Sequence, residues 1–166
     1  AISAQVTALS TQEDTPITIL ASHLTITDPD NNSGFTVTAI DGTNYSVSGN
    51  VVTPDQNYSG PLTVAITVSD GTASSPSFNL SIQVDAVNDA PVIASQATAL
   101  ATPEDTPITL QTSHLTINDP DNATGFILSV TDGANYSVAG NVITPDANYN
   151  GPLSVPVTVS DGTLAS

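Results

Sequence analysis

The chain has 166 residues, 39% apolar and 10% charged, with no cysteine, lysine or arginine, so its sixteen carboxylates set a formal charge of −16. That composition excludes disulfides, thiolate metal sites and cysteine nucleophiles, and it excludes binding to nucleic acid or anionic membrane surfaces, which needs Lys and Arg. Self-repulsion at this charge opposes compaction, so the carboxylates need cations from outside the chain.

Residues 2–9 open the chain as a candidate strand, followed by "EDTPIT" at 13–18 and further short extended stretches at 16–20 and 22–27. "DPDN" at 28–31 breaks the pattern with turn residues. Extended runs resume at 35–40, and again at 45–48 and 51–53 on either side of Gly49-Asn50. In 61–70, "PLTVAITVSD", Leu62, Val64, Ile66 and Val68 share one face; in 78–85, "FNLSIQVD", Phe78, Leu80, Ile82 and Val84 do the same. Alternation of this kind marks half-buried strands. No segment has helical periodicity. The run closes in "VNDAPV", 87–92, an acidic stretch between two apolar ones.

The pattern then starts again. "EDTPIT" returns at 104–109, "SHLTITDPDN" at 22–31 returns as "SHLTINDPDN" at 113–122, and "VSDGT" at 68–72 returns at 159–163, always 91 residues on. Laying 1–75 over 92–166 without a gap gives 48 identical positions of 75. The expected organisation is a repeat over 1–85, a linker over 86–91 and a second repeat over 92–166 without a counterpart of 78–85. No apolar run of about 18 residues is present to span a membrane. The chain starts without a secretion signal and reads as an excerpt of a longer protein. About seven short strands per repeat, with 12 prolines and 10 glycines in the whole chain, predict an all-β fold of tandem immunoglobulin-like sandwiches, the second lacking its last strand. Pro156, at the position of Ala65, conflicts with a strand there because it removes a donor.

Each repeat carries the same seven acids, Glu13, Asp14, Asp28, Asp30, Asp41, Asp55 and Asp70 in the first, and two more, Asp85 and Asp89, lie in or beside the linker. All fall at predicted strand ends or turns. Two readings stand side by side. Asp side chains bond nearby backbone in turns, the preferred account of Asp41 and Asp132; carboxylates spaced as in "DPD" also suit Ca²⁺, which takes six to eight oxygen ligands. His23 and His114, equivalent in "SHL", read as packing or capping residues. The four tyrosines do not cluster as a sugar platform, and the six N-x-S/T sequons follow from composition.

The motifs "EDTP", "DPDN", "TPDQNYSGPL", "VSDG" and "VNDAPV" resemble those of the bacterial cadherin-like tandem repeats of large surface adhesins, and more distantly those of cadherin repeats. The resemblance implies cadherin-like sandwiches with Ca²⁺ held between successive domains. It implies one inter-repeat site from Glu13, Asp55, Asn57, Asp85, Asn88, Asp89, Asp119, Asp121 and Asp161. Asp28, Asp30 and Asp70 would serve a site with a preceding repeat, and Glu104, Asp146 and Asn148 one with a following repeat. This sequence departs from the cadherin pattern at Asn57, at VNDAP and in the choice between Glu13 and Asp14, which implies one or two ions per junction.

The function expected on this basis is a calcium-rigidified stalk segment of a secreted, cell-surface adhesin supporting adhesion or biofilm formation. Its partners are then neighbouring repeats of the same polypeptide, with other copies joined by strand addition or homophilic contact. Two alternatives are a filament subunit assembled by strand exchange and a carbohydrate-binding or homophilic module. An enzyme is not expected, because the carboxylate pairs recur in both repeats.

Overall fold

The structure, a computed structural model, describes residues 1–166. It is built of strands and two three-residue 3₁₀ turns, and no helix is long and apolar enough to cross a membrane. The chain divides into two compact units, Ala1–Val87 and Asn88–Ser166.

The first unit contains β1 (Ile2–Gln5), β2 (Leu9–Gln12), β3 (Ile17–Thr18), β4 (Leu24–Ile26), β5 (Thr36–Ala39), β6 (Tyr45–Ser48), β7 (Val51–Pro54), β8 (Gly60–Ser69) and β9 (Phe78–Asp85). They form a four-stranded sheet in the order β2-β9-β8-β5, a three-stranded sheet β3-β7-β6 and the pair β1-β4. The longest ladder joins β8 and β9, from Gly60 opposite Val84 to Ile66 opposite Phe78. On the other edge of β9, β2 pairs in parallel, from Leu9 opposite Ile82 to Gln12 opposite Asp85. The alternation seen in the sequence sends Leu62, Val64, Ile66 and Val68 from β8 and Leu80, Ile82 and Val84 from β9 into one core. There they join Ile19, Leu24, Val37, Ala39, Tyr45 and Val52.

Two expected strands are redrawn. Residues 2–9 form not one strand but two: β1 pairs with β4 through a bulge between Ile2 and Ala4, while β2 crosses to β9. The Gln5 side chain holds the crossover. Its Nε2 donates to the carbonyls of Thr7 and Ser81 at 2.9 and 2.8 Å, and its Oε1 accepts from the Ser81 N–H at 2.9 Å. The expected strand at 22–27 starts only at Leu24, because Ala21–His23 form a 3₁₀ turn. His23 Nδ1 accepts from the Leu20 N–H at 3.2 Å, and His114 repeats the arrangement with Gln111; both histidines are turn caps. Tyr45 is buried and donates from its hydroxyl to the carbonyls of Ile40 and Thr63 at 3.1 and 3.3 Å. This is the backbone anchoring of a tyrosine corner. Tyr136 does the same with Thr131 and Ser154.

The second unit repeats the plan with β10 (Val92–Gln96), β11 (Ile108–Thr109), β12 (Leu115–Asn118), β13 (Ile127–Val130), β14 (Tyr136–Ala139), β15 (Val142–Pro145) and β16 (Val157–Ser160). Its sheets are β10-β12, β11-β15-β14 and β13-β16. No strand corresponds to β9, and the counterparts of its two neighbours, residues 100–103 and 151–156, form no ladder. The packing changes accordingly. Leu62, Val64 and Ile66 are at most 2% exposed, whereas their counterparts Leu153, Val155 and Val157 are only half-buried.

Pro156 finds its explanation here. Its carbonyl accepts from the Thr131 N–H at 3.1 Å, and in an antiparallel ladder a residue's N–H and C=O point to the same neighbour. The donor that proline lacks therefore faces the end of β13, where the Tyr136 hydroxyl supplies the Thr131 carbonyl with a donor.

Matched truncations test this difference in packing. Leu62→Ala is expected to cost about 2–5 kcal/mol, as for a buried leucine. Leu153→Ala is expected to cost less than half as much as Leu62→Ala. Urea unfolding read by amide signals of each unit measures both; equal losses would contradict the burial difference.

Candidate metal centre

In the second unit, Asn88 and Asp89 lie against the loops that carry "DPDN" and "VSDG". Asp119 starts the first loop as an Asx turn, its Oδ1 accepting from the N–H groups of Asp121 and Asn122 at 2.9 and 2.8 Å. Asp161 starts the second in the same way, Oδ1 accepting from Thr163 and Leu164 at 2.6 and 2.7 Å. Those acceptor positions are local turn chemistry. The other oxygens and the amides tie the loops to the linker. Asp161 Oδ2 accepts from Asn88 Nδ2 at 2.7 Å, Asn122 Nδ2 donates to Asn88 Oδ1 at 3.3 Å, and the Asp89 N–H donates to Asp121 Oδ2 at 2.8 Å.

The first unit holds the same frame. Asp28 Oδ1 accepts from Asp30 and Asn31 at 3.0 and 3.1 Å, and Asp70 Oδ1 accepts from Thr72 and Ala73 at 2.7 Å each. Here Asn31 Nδ2 donates directly to Asp70 Oδ2 at 3.2 Å. In the second unit the Asn88 amide is inserted between the corresponding pair, so the direct bond becomes the relay Asn122–Asn88–Asp161. Asn122 lies outside the ligand set implied by resemblance; its signal was present in the sequence as the last letter of the repeated "DPDN".

The charges are held in different ways. Asp161 has its pKa lowered, chiefly by the Leu164 N–H, then by the Asn88 amide and the Thr163 N–H; Asp70 is lowered by the Ala73 and Thr72 N–H groups first. Asp89 Oδ2 and Asp119 Oδ2, by contrast, are buried and accept no hydrogen bond. A buried carboxylate oxygen without a donor is costly, and the chain has no lysine or arginine to offset it. This donor set, carboxylates with neighbouring amide oxygens, fits a hard oxygen-seeking cation of the calcium type. No three His, Cys, Asp or Glu side chains converge to form a cage by themselves.

The remaining candidates are placed as follows. Glu13 is buried; its N–H donates to the Asp85 carbonyl at 2.9 Å, and its Oε1 accepts from the Val87 N–H. It thus clamps the exit of β9. Asp14, the alternative to Glu13, has a positive φ of 55° and accepts from the Asn57 N–H at 3.1 Å, so it serves the 55–58 turn. Asp55, Asn57 and Asp85 are exposed, as are Glu104, Asp146 and Asn148 in the second unit. Asp105 accepts from the Asn148 N–H at 2.9 Å, repeating the Asp14 arrangement. Asp41 accepts from the Val47 N–H at 2.5 Å, a turn role as the sequence suggested.

Comparison with known proteins agrees with this architecture. The family model of the cadherin-like domain matches twice, over residues 1–85 and 87–166. No curated protein sequence gives a match to the chain. Among solved structures, the human desmocollin-1 ectodomain is similar with a TM-score of 0.50 and 16% identity, over 96% of this chain and 34% of that one. The chain therefore spans about a third of that ectodomain's length, and the likeness is one of fold. Human mucin-like protocadherin EC1-2 gives a TM-score of 0.41 at 17% identity, covering 96% of this chain and 86% of that one. An endo-fucoidan hydrolase from glycoside hydrolase family 107 gives 0.31 at 21% identity, covering 80% and 22%; a score that low says nothing about catalysis here. The two family matches together span nearly the whole chain, which belongs to the cadherin-like domain family as two tandem copies.

Proposed function

We propose that the chain is a stalk segment of a large bacterial cell-surface adhesin, secreted and stiffened by Ca²⁺ at the junction between its two repeats. The observation that carries the reading is the pair of buried, donorless oxygens of Asp89 and Asp119 in a chain without side-chain cations. The residues that would hold the ion are those the family resemblance marks: Glu13, Asp55, Asn57 and Asp85 from the first unit, and Asn88, Asp89, Asp119, Asp121 and Asp161 from the second. Asp28, Asp30 and Asp70 would serve a junction with a preceding repeat, and Glu104, Asp146 and Asn148 one with a following repeat.

The chain's own residues prepare the two sides. Glu13 holds the exit of β9 through Asp85 and Val87, and the Asn122–Asn88–Asp161 relay holds the start of the second unit. Freedom is left to the few bonds between. A bound divalent ion supplies positive charge that removes carboxylate repulsion and draws ligands from both repeats together. Extracellular calcium modules bind at about 10⁻⁴–10⁻³ M, so rigidity would be acquired outside the cell. Repeats stacked in this way make an extended spacer. The recurrence of the same acids in both repeats speaks against catalysis.

Thermal unfolding in EDTA, in magnesium and in calcium tests the reading. At ten times its Kd one ion adds about 1.4 kcal/mol, several degrees in Tm for units of this size. Asp119→Asn keeps an oxygen for the Asx turn and removes the charge. It is expected to leave the calcium-free Tm within about 1 °C and to raise the calcium Kd tenfold or more. Small-angle scattering should show a narrower distribution of particle dimensions in calcium than in EDTA. Identical melting and scattering in all three buffers would return these aspartates to turn chemistry alone.

Acid acts on the same residues. Because the folded pKa of Asp161 lies below its ordinary value, its ionised form favours the fold. That contribution is full above the ordinary aspartate pKa and is lost as pH falls through the lowered one. Carboxyl-carbon NMR of Asp161 in EDTA should therefore titrate below the usual aspartate range, and Asn88→Ala should move the midpoint up.

A further inference from the structure

Asn88 lies at the centre of the loop cluster of the second unit, and its carboxamide is in use at both ends. Nδ2 donates to Asp161 Oδ2 at 2.7 Å and to the Asp89 carbonyl at 3.1 Å, while Oδ1 accepts from Asn122 Nδ2 at 3.3 Å. An amide nitrogen has two protons to give, so both are spent. The 2.7 Å bond is short, as expected where the acceptor is ionised. Asp161 is thereby engaged through both oxygens, Oδ1 by the Thr163 and Leu164 N–H groups and Oδ2 by Asn88. Asp89 and Asp119 differ from it, each keeping a buried oxygen without a donor.

The carboxylates of this unit are therefore of two kinds with respect to a cation, those with an oxygen already free and one that is latched. Resting on the calcium reading above, we infer that Asn88 sets the affinity of the site: its amide stands in for a cation at Asp161, and that bond has to open before Asp161 serves as a ligand. An amide proton is the positive end of a dipole and offsets a carboxylate only in part, which makes it a competitor that a divalent ion displaces.

The same side chain provides the open state. The terminal torsion of asparagine is soft and roughly two-fold, so half a turn exchanges Oδ1 and Nδ2. Asn88 Oδ1 then faces Asp161 Oδ2. Without a cation two oxygens oppose each other, and the turned state is disfavoured. With one, both become hard oxygen ligands of the kind calcium takes. A ligand shifts such an equilibrium only by its differential affinity for the two states, and apparent affinity falls by the fraction of chains already competent; a latch open in about one chain in ten weakens binding about tenfold. Asn122 is the positioning residue, since its amide bonds Asn88 Oδ1 and keeps Nδ2 turned toward Asp161.

Calcium titration of the 166-residue chain, followed by NMR of the Asn88 side-chain amide protons and the Asp119 and Asp161 carboxyl carbons, tests the inference together with two variants. In EDTA one Asn88 amide proton is expected downfield and slow to exchange; calcium should move it back and speed its exchange, in step with the carboxyl signals. Asn88→Asp keeps an oxygen and removes both donors, so it should lower Tm in EDTA and lower the calcium Kd about tenfold more than Asn122→Asp, which adds the same charge in the same cluster and leaves the Asn88 amide on Asp161. Equal effects of the two variants would reduce the gain to added charge and overturn the latch. An Asn88 amide signal that stays in place while the Asp119 carboxyl responds would overturn the latch and leave the calcium reading standing. No response of any of these signals to calcium would overturn both.

Discussion

A chain with sixteen carboxylates and no lysine or arginine leaves its exposed acids to water and, where it holds a carboxylate itself, does so with backbone N–H groups and side-chain amides. That constraint orders most of the molecule. It keeps aspartates out of the strand interiors and places them where turns present free N–H groups: Asp28, Asp70, Asp119 and Asp161 each accept two such donors through one oxygen. Since each turn uses a single oxygen, the second oxygen of each of these carboxylates is left for another partner. In Asp70 and Asp161 an asparagine amide takes it; in Asp119 nothing in the chain does. One oxygen of Asp119 fixes the side chain in its turn, and the other is left buried without a donor.

The linker is divided between the two units rather than standing between them as free chain. Its first residues continue from β9 under the grip of Glu13, while Asn88 and Asp89 are bonded to loops of the second unit. Little chain is therefore left outside the two units. The comparison of Asn31–Asp70 with Asn122–Asn88–Asp161 shows how the start of the second unit is held. One asparagine contributed by the linker opens a direct bond and becomes part of the loop cluster.

The two units differ in packing at the place where β9 lies in the first. Their sequences are close, yet only the one that seats β9 has a fully buried core. Leu153, Val155 and Val157 have the same alternation as Leu62, Val64 and Ile66 and remain half-covered. Residues 100–103 and 151–156 retain strand-forming patterns and form no ladder. A strand in the middle of a sheet supplies hydrogen bonds to two neighbours and a cover for the face opposite, so its contribution is shared among segments distant in sequence.

Much of this was legible in the residues. Period-two alternation placed β5, β6, β7, β8 and β9 nearly to the residue, because a half-buried strand has to alternate. The 91-residue repeat defined two copies of one plan, and repeated acids at turn positions marked the loops that now form the cluster. What the sequence could not tell was where hydrogen bonding changes partner. Residues 2–9 read as one extended run, yet the chain leaves one sheet for another after Gln5, since period and propensity are the same on either side. Nor did it show that Glu13 is buried while Glu104 is exposed, or that Pro156 is harmless, because these depend on which segments pack and pair together. The sequence by itself determined the strands, the repeats and the positions of the charges, through local periodicity and turn chemistry. The tertiary structure alone decided which carboxylate oxygens are left without donors and where the chain changes from one sheet to another, because both are properties of pairing between segments far apart in the chain.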